Sequence, residues 1–123
     1  MKKTIEKSVV VAQTKKMIVA LKSAYKANKE VSPEMIEEMK ALRELFKDLQ
    51  QPTIVKSVRL TYEHIGIHGN LDNLSYWEEE EIEIDADNSS FEYYLGLLTN
   101  PTNKYNREEI KELNILLKGF AES

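Results

Sequence analysis

A chain of 123 residues with 41% hydrophobic and 31% charged side chains has the composition of one folded domain, 1–123, long enough to bury a core without covalent staples. It has no cysteine, which excludes disulfides, thiolate metal sites and Cys nucleophiles and points to a reducing compartment, the cytoplasm. The net charge of −4 conceals a segregation: residues 1–29 carry eight lysines against one acid, whereas residues 60–103 carry ten acids and neither Lys nor Arg.

The apolar run at residues 9–12 is too short for a signal peptide, and no run approaches a membrane span. The first predicted element is a helix over about 8–28. Val10, Thr14, Met17, Leu21 and Ala24 recur at three- and four-residue steps, with Ile18 and Tyr25 beside them. Lys15, Lys22, Lys26 and Lys29 fall on the opposite face as a lysine stripe. The β-branched run TIEKSVVV, residues 4–11, is also readable as a short strand leading into this helix.

Ser32-Pro33 opens a second helix, with Ser as N-cap, Pro in the first turn and Glu34 at the positive end of the dipole. Met35, Met39, Leu42, Phe46 and Leu49 form its apolar stripe, and it ends near Gln50, ahead of Pro52. Residues 53–68 admit two readings. Ile54, Val55, Val58, Tyr62 and Ile65 fit a helix stopped by Gly66, while Val58, Leu60 and Tyr62 alternate with polar residues as a strand would. Gly69-Asn70 and Asp72-Asn73 punctuate a loop.

Residues 74–86 read as a strand: Leu74, Tyr76, Ile82, Ile84 and Ala86 share one parity, and Trp77, Glu79, Glu81, Glu83 and Asp85 the other. Ser89 with Glu92 is a capping box for a helix that buries Phe91, Tyr94, Leu95 and Leu98 and ends at Asn100-Pro101. Asn106 with Glu109 opens a last helix, which buries Ile110, Leu113 and Leu117 and stops at Gly119. The expected fold is therefore α+β: an N-terminal helical hairpin, a small antiparallel sheet around residues 54–86, and two C-terminal helices. A mostly α fold with one irregular segment is the alternative.

The chemistry on offer is sparse. His64 and His68 would share a face on a helix and could then hold a metal ion. On a strand their α-carbons would stand roughly 13 Å apart, at about 3.3 Å per residue, too far to chelate one ion. Surface or packing histidines are the expectation, with no metal and no cofactor. The acids around Glu78–Glu81 lack the glycine bend of a calcium loop. No serine sits in a nucleophile elbow and no glycine-rich phosphate loop occurs, so an enzyme is not expected.

What remains is recognition. Glu78, Glu79, Glu81, Glu83 and Asp85 can present a row of carboxylates to a basic protein, as a phosphate backbone would. The ordinary alternative is a strand face kept soluble by charge. A third reading sets the lysine stripe of one copy against the acids of another, fixing a homo-oligomer. The expectation is a small, non-catalytic, inhibitor-type protein of the cytoplasm, oligomeric, engaging a protein partner through its segregated charge. The composition resembles that of small phage and mobile-element proteins, for which counter-defence is a frequent task.

Two other functions stay open. An oligomeric nucleotide-sequestering protein would use Arg59 and Arg107 on phosphate and Trp77, Phe91 and Tyr93 on a base. A nucleic-acid binder would use the lysine stripe, although four lysines without arginines make a weak footprint.

Overall fold

The computed structural model describes residues 6–122. They form six helices: α1 (Lys7–Asn28), α2 (Pro33–Asp48), α3 (Pro52–His68), the single turn α4 (Tyr76–Glu79), α5 (Ser90–Thr99) and α6 (Lys104–Glu122). The five long helices close a circuit. α1 lies between α2 and α5, α3 between α2 and α6, and α5 packs on α6. The short connectors from α1 to α2 and from α2 to α3 make those neighbours antiparallel hairpins. Inside the circuit Leu21, Leu42, Val58, Phe91, Tyr94 and Leu113 are fully buried. Each apolar side chain of that size contributes about 1.5–3 kcal/mol on leaving water.

Local chemistry explains most boundaries. The Ser32 hydroxyl accepts from the Met35 amide at 3.2 Å, and the Met35 sulfur stands in for the usual Glu as acceptor from the Ser32 amide. Ser89 caps α5 in the same way, accepting from the Glu92 amide. α1 ends on Lys29 in the left-handed region, and α3 on Gly69 at φ 87, where only glycine sits without strain.

Three expectations are corrected. The first is the sheet: among the described residues there is no strand, and the fold is all-helical, as in the mostly α alternative. Residues 53–68 are helix α3, which buries Ile54, Ser57, Val58, Thr61, His64 and Ile65 at helical spacing between α2 and α6. Packing on two neighbours outweighs the β preference of its Val, Ile and Thr residues.

The second is the acidic strand of residues 74–86. With α3 helical, no backbone edge is left for it to pair with. Tyr76 and Trp77 are both buried, which strict alternation forbids, and with Glu78 and Glu79 they form α4. The alternation survives only further on, where Ile82 and Ile84 are half-buried and Glu83 and Asp85 exposed, without any ladder. Consequently Glu78, Glu79, Glu81, Glu83 and Asp85 lie on a helical turn and a loop, not along a line.

The third concerns helix ends. α3 runs through Gly66 to His68, and α6 runs through Gly119 to Glu122, because Phe120 packs its ring on His64 and His68 and carries the last turn with it. In the run read as a possible strand, residues 7–11 are helical, and residues 4 and 5 lie outside the described residues.

Candidate functional site: an acidic groove on an aromatic anchor

Between α3 and α5 the chain crosses one end of the bundle, and two aromatic side chains pin it there. Trp77 is 4% exposed and donates its indole N–H to the Leu71 carbonyl at 2.8 Å. Its ring meets Tyr76 and Tyr93 edge-on, with centroids 5.4 Å away in each case. The Tyr76 and Tyr93 hydroxyls both donate to Oε1 of Glu109 on α6, at 2.6 and 2.5 Å. Burial first, then the hydrogen bond to Glu109 and its charge, raises both phenol pKa values well above the ordinary one.

After this anchor the chain reverses. Glu81 adopts φ 54 in the left-handed region, and the Ile82 amide donates to the Trp77 carbonyl at 2.7 Å. Ile82 and Ile84 pack inward. Oδ1 of Asp85 accepts from the amides of Asp87 and Asn88, and the Asn88 side chain donates to the Glu83 carbonyl, closing a tight turn.

The outcome is a shallow groove of about 470 Å³. Its floor is Ile82 and Ile84, seated on the buried Trp77, and its rim is Asp72, Glu78, Glu81 and Glu83. Asp72 is held by the Ser90 hydroxyl, which donates to its Oδ1. None of the ion pairs among the described residues involves an acid between Asp72 and Glu92. An apolar floor with an uncompensated carboxylate rim suits the long aliphatic stem and cationic head of a lysine or arginine.

Of the five acids expected to act together, the structure brings Glu78, Glu81 and Glu83 to this groove. Glu79 instead accepts from the Ser75 hydroxyl, and Asp85 is engaged in its own turn. Asp72 was missed as a rim residue, and Glu109 as the acceptor beneath the anchor. Asp72 belongs to the window without basic residues, a signal that could have included it. Glu109 reads in sequence only as a helix-capping residue.

Of the residues grouped for a nucleotide, the structure brings together Trp77 and Tyr93 and sets Arg59 and Arg107 elsewhere. Phe91 is fully buried against Tyr25, and Trp77 has almost no exposed surface, so neither offers a ring face to a base in this conformation. Tyr93 is committed to Glu109. Arg59 pairs with Glu63 at 3.1 Å and lines a different groove, with Arg43, Lys47 and Lys56, at the α2–α3 junction. Arg107 is exposed on the first turn of α6. Lys15, Lys22 and Lys26 project from α1, with Lys29 at its cap, and pair with none of the groove acids.

A second concavity of about 470 Å³ opens between the C-terminal ends of α3 and α6, walled by Leu60, Ile67, Leu117 and Phe120 and flanked by His64 and His68. The two imidazole centroids are 4.3 Å apart, since the helix places them one turn from each other. His64 is 5% exposed, and its Nε2 lies 2.7 Å from Oδ1 of Asn73. Burial lowers the His64 pKa, as does neighbouring His68, while the Asn73 hydrogen bond opposes both. Among the described residues no group of three or more His, Asp or Glu side chains is arranged to hold a metal ion, and no helix is long and apolar enough to cross a membrane. Comparison with known proteins finds no matching family model and no significant match among curated proteins or solved structures.

Proposed function

We propose that the protein is a non-catalytic binding protein of the cytoplasm that engages a basic surface on a protein partner through its acidic groove, and so blocks that surface. The observation that carries this reading is the groove itself: four rim carboxylates with no ion pair among the described residues, set around an apolar floor. The aromatic anchor supports it further. A surface held in place by Trp77, Tyr76 and Tyr93 loses little conformational entropy on docking. Its uncompensated field accelerates encounter with a cationic partner and makes the association sensitive to salt. A phage-type counter-defence role, in which the blocked surface normally binds nucleic acid, fits a carboxylate rim that competes with phosphate.

The test compares two triple reversals with the same change in net charge. Glu78→Lys, Glu81→Lys and Glu83→Lys alter the groove. Glu108→Lys, Glu112→Lys and Glu122→Lys alter α6. Affinity capture from host cells at low salt should retain a basic protein with the wild type and with the α6 variant, and lose it with the groove variant. Equal loss in both variants would make net charge responsible and sink the groove as a site.

A further inference from the structure

The observations at the second concavity lead to a separate site. We propose that His64 and His68 chelate a borderline transition-metal dication, zinc or nickel, at the mouth of the α3–α6 cleft.

The helix brings the two residues together at i and i+4, the spacing that lets two imidazoles on one face reach a single ion. Their centroid separation of 4.3 Å is within reach of a two-imidazole chelate. His64 also carries the outer hydrogen bond that metal-ligating histidines use. Asn73 Oδ1 is an acceptor only, so at 2.7 Å it places the His64 proton on Nε2 and leaves Nδ1 with a lone pair. The bond crosses from α3 to the loop before α4, so it orients the ring as well as setting the tautomer. Phe120 meets both rings edge-on, at 5.0 Å from His64 and 5.5 Å from His68, and limits their rotation from the α6 side.

The placement of His64 argues in the same direction. It is 95% withdrawn from solvent beside a cleft whose walls, Leu60 and Leu117, would accept an aliphatic side chain. An imidazole there costs desolvation that packing alone does not require. His68, by contrast, is exposed, so the ion is approached from solvent and the cleft leaves room for water as the remaining ligands. Glu63 also lines the cleft, with its Oε1 paired to Arg59. Two nitrogen donors with water fit zinc and nickel, and they disfavour calcium and magnesium, which take oxygen ligands.

The test uses the full chain, stripped of metal, titrated with zinc and with nickel while imidazole resonances and the thermal midpoint are followed. The expected result is saturable binding of one ion per chain, shifts at the His64 and His68 rings, and a midpoint that rises with free metal. His68→Ala, an exposed change that leaves the core intact, should weaken binding by at least about tenfold, as should Asn73→Ala, while Asn73→Asp, which keeps an acceptor, restores it. Calcium should leave both rings unmoved. Absence of saturable binding at submillimolar metal, or wild-type affinity in His68→Ala, overturns the proposal.

Discussion

The Tyr76 hydroxyl on α4 donates to the Glu109 carboxylate on α6 across 2.6 Å, and this bond ties the acidic groove to the helical bundle. Tyr93 adds a second bond to the same oxygen from α5, so one carboxylate joins three elements. α4 is a single turn with no side-chain cap at its N-terminus, and its position depends on these contacts and on the Trp77 ring.

Glu109→Ala should therefore destabilise the protein by about 2–3 kcal/mol, since it strands two phenolic donors that now bond to a charged acceptor. Urea unfolding followed by Trp77 emission measures the loss. A cost below that of an ordinary surface substitution, about 0.5 kcal/mol, would contradict the anchoring role.

Alkali should unfold the protein through its tyrosines. Tyr76 and Tyr93 hold their protons well above the ordinary phenol value of 10.0, and burial pushes Tyr94 up to about 12. The unfolded chain gives up these protons first, so above pH 10 the folded state binds more protons and stability falls as pH rises. Their stabilising contribution is complete below that pH. Phenolate absorbance of the folded protein should accordingly lag that of the unfolded chain at the same pH above 10 and reach the value for all six tyrosines only on unfolding. Absorbance equal to that of the unfolded chain with the fold intact would contradict this.

Two glycine substitutions distinguish helix from strand over residues 53–68. Gly66 lies inside α3 with open space where a Cβ would stand, so Gly66→Ala should stabilise by about 0.5–1 kcal/mol. Gly69 terminates the helix at φ 87, so Gly69→Ala should destabilise by about 1–2 kcal/mol. Thermal midpoints moving in the same direction for both variants would be inconsistent with this helix end.

At the centre of the core, Ser57 of α3 and Tyr94 of α5 share a 2.8 Å hydrogen bond between hydroxyls. Ser57→Ala and Tyr94→Phe should each cost about 1–3 kcal/mol by leaving a buried partner unsatisfied. The double variant should cost less than the sum, because neither hydroxyl is then left without the other. Strict additivity in a double-mutant cycle would remove the bond as an energetic link.

The legible parts of this fold were those in which local chemistry and burial agree. α1, α2 and α5 show apolar residues at helical steps, and α2 and α5 begin at serines that cap as their side chains require. α3 was ambiguous because its Val, Ile and Thr residues favour extended chain while their spacing favours a helix, and a propensity difference of a few tenths of a kcal/mol per residue cannot arbitrate. Residues 82–85 do alternate in burial, yet a strand needs a neighbouring backbone to satisfy its amides. Once α3 is helical, that neighbour is gone.

The sequence by itself determined the charge segregation, the positions of the caps, most of the core, and the acidity of the segment after Trp77. Only the tertiary structure decided what those acids surround. The burial of Tyr76 and Trp77 side by side bends the chain, so that Glu78, Glu81 and Glu83 meet Asp72, which is held in place by Ser90 from eighteen residues further on. Such a convergence depends on which helix α4 finds to rest against. That choice was made by Glu109, more than thirty residues away, through a contact no local pattern encodes.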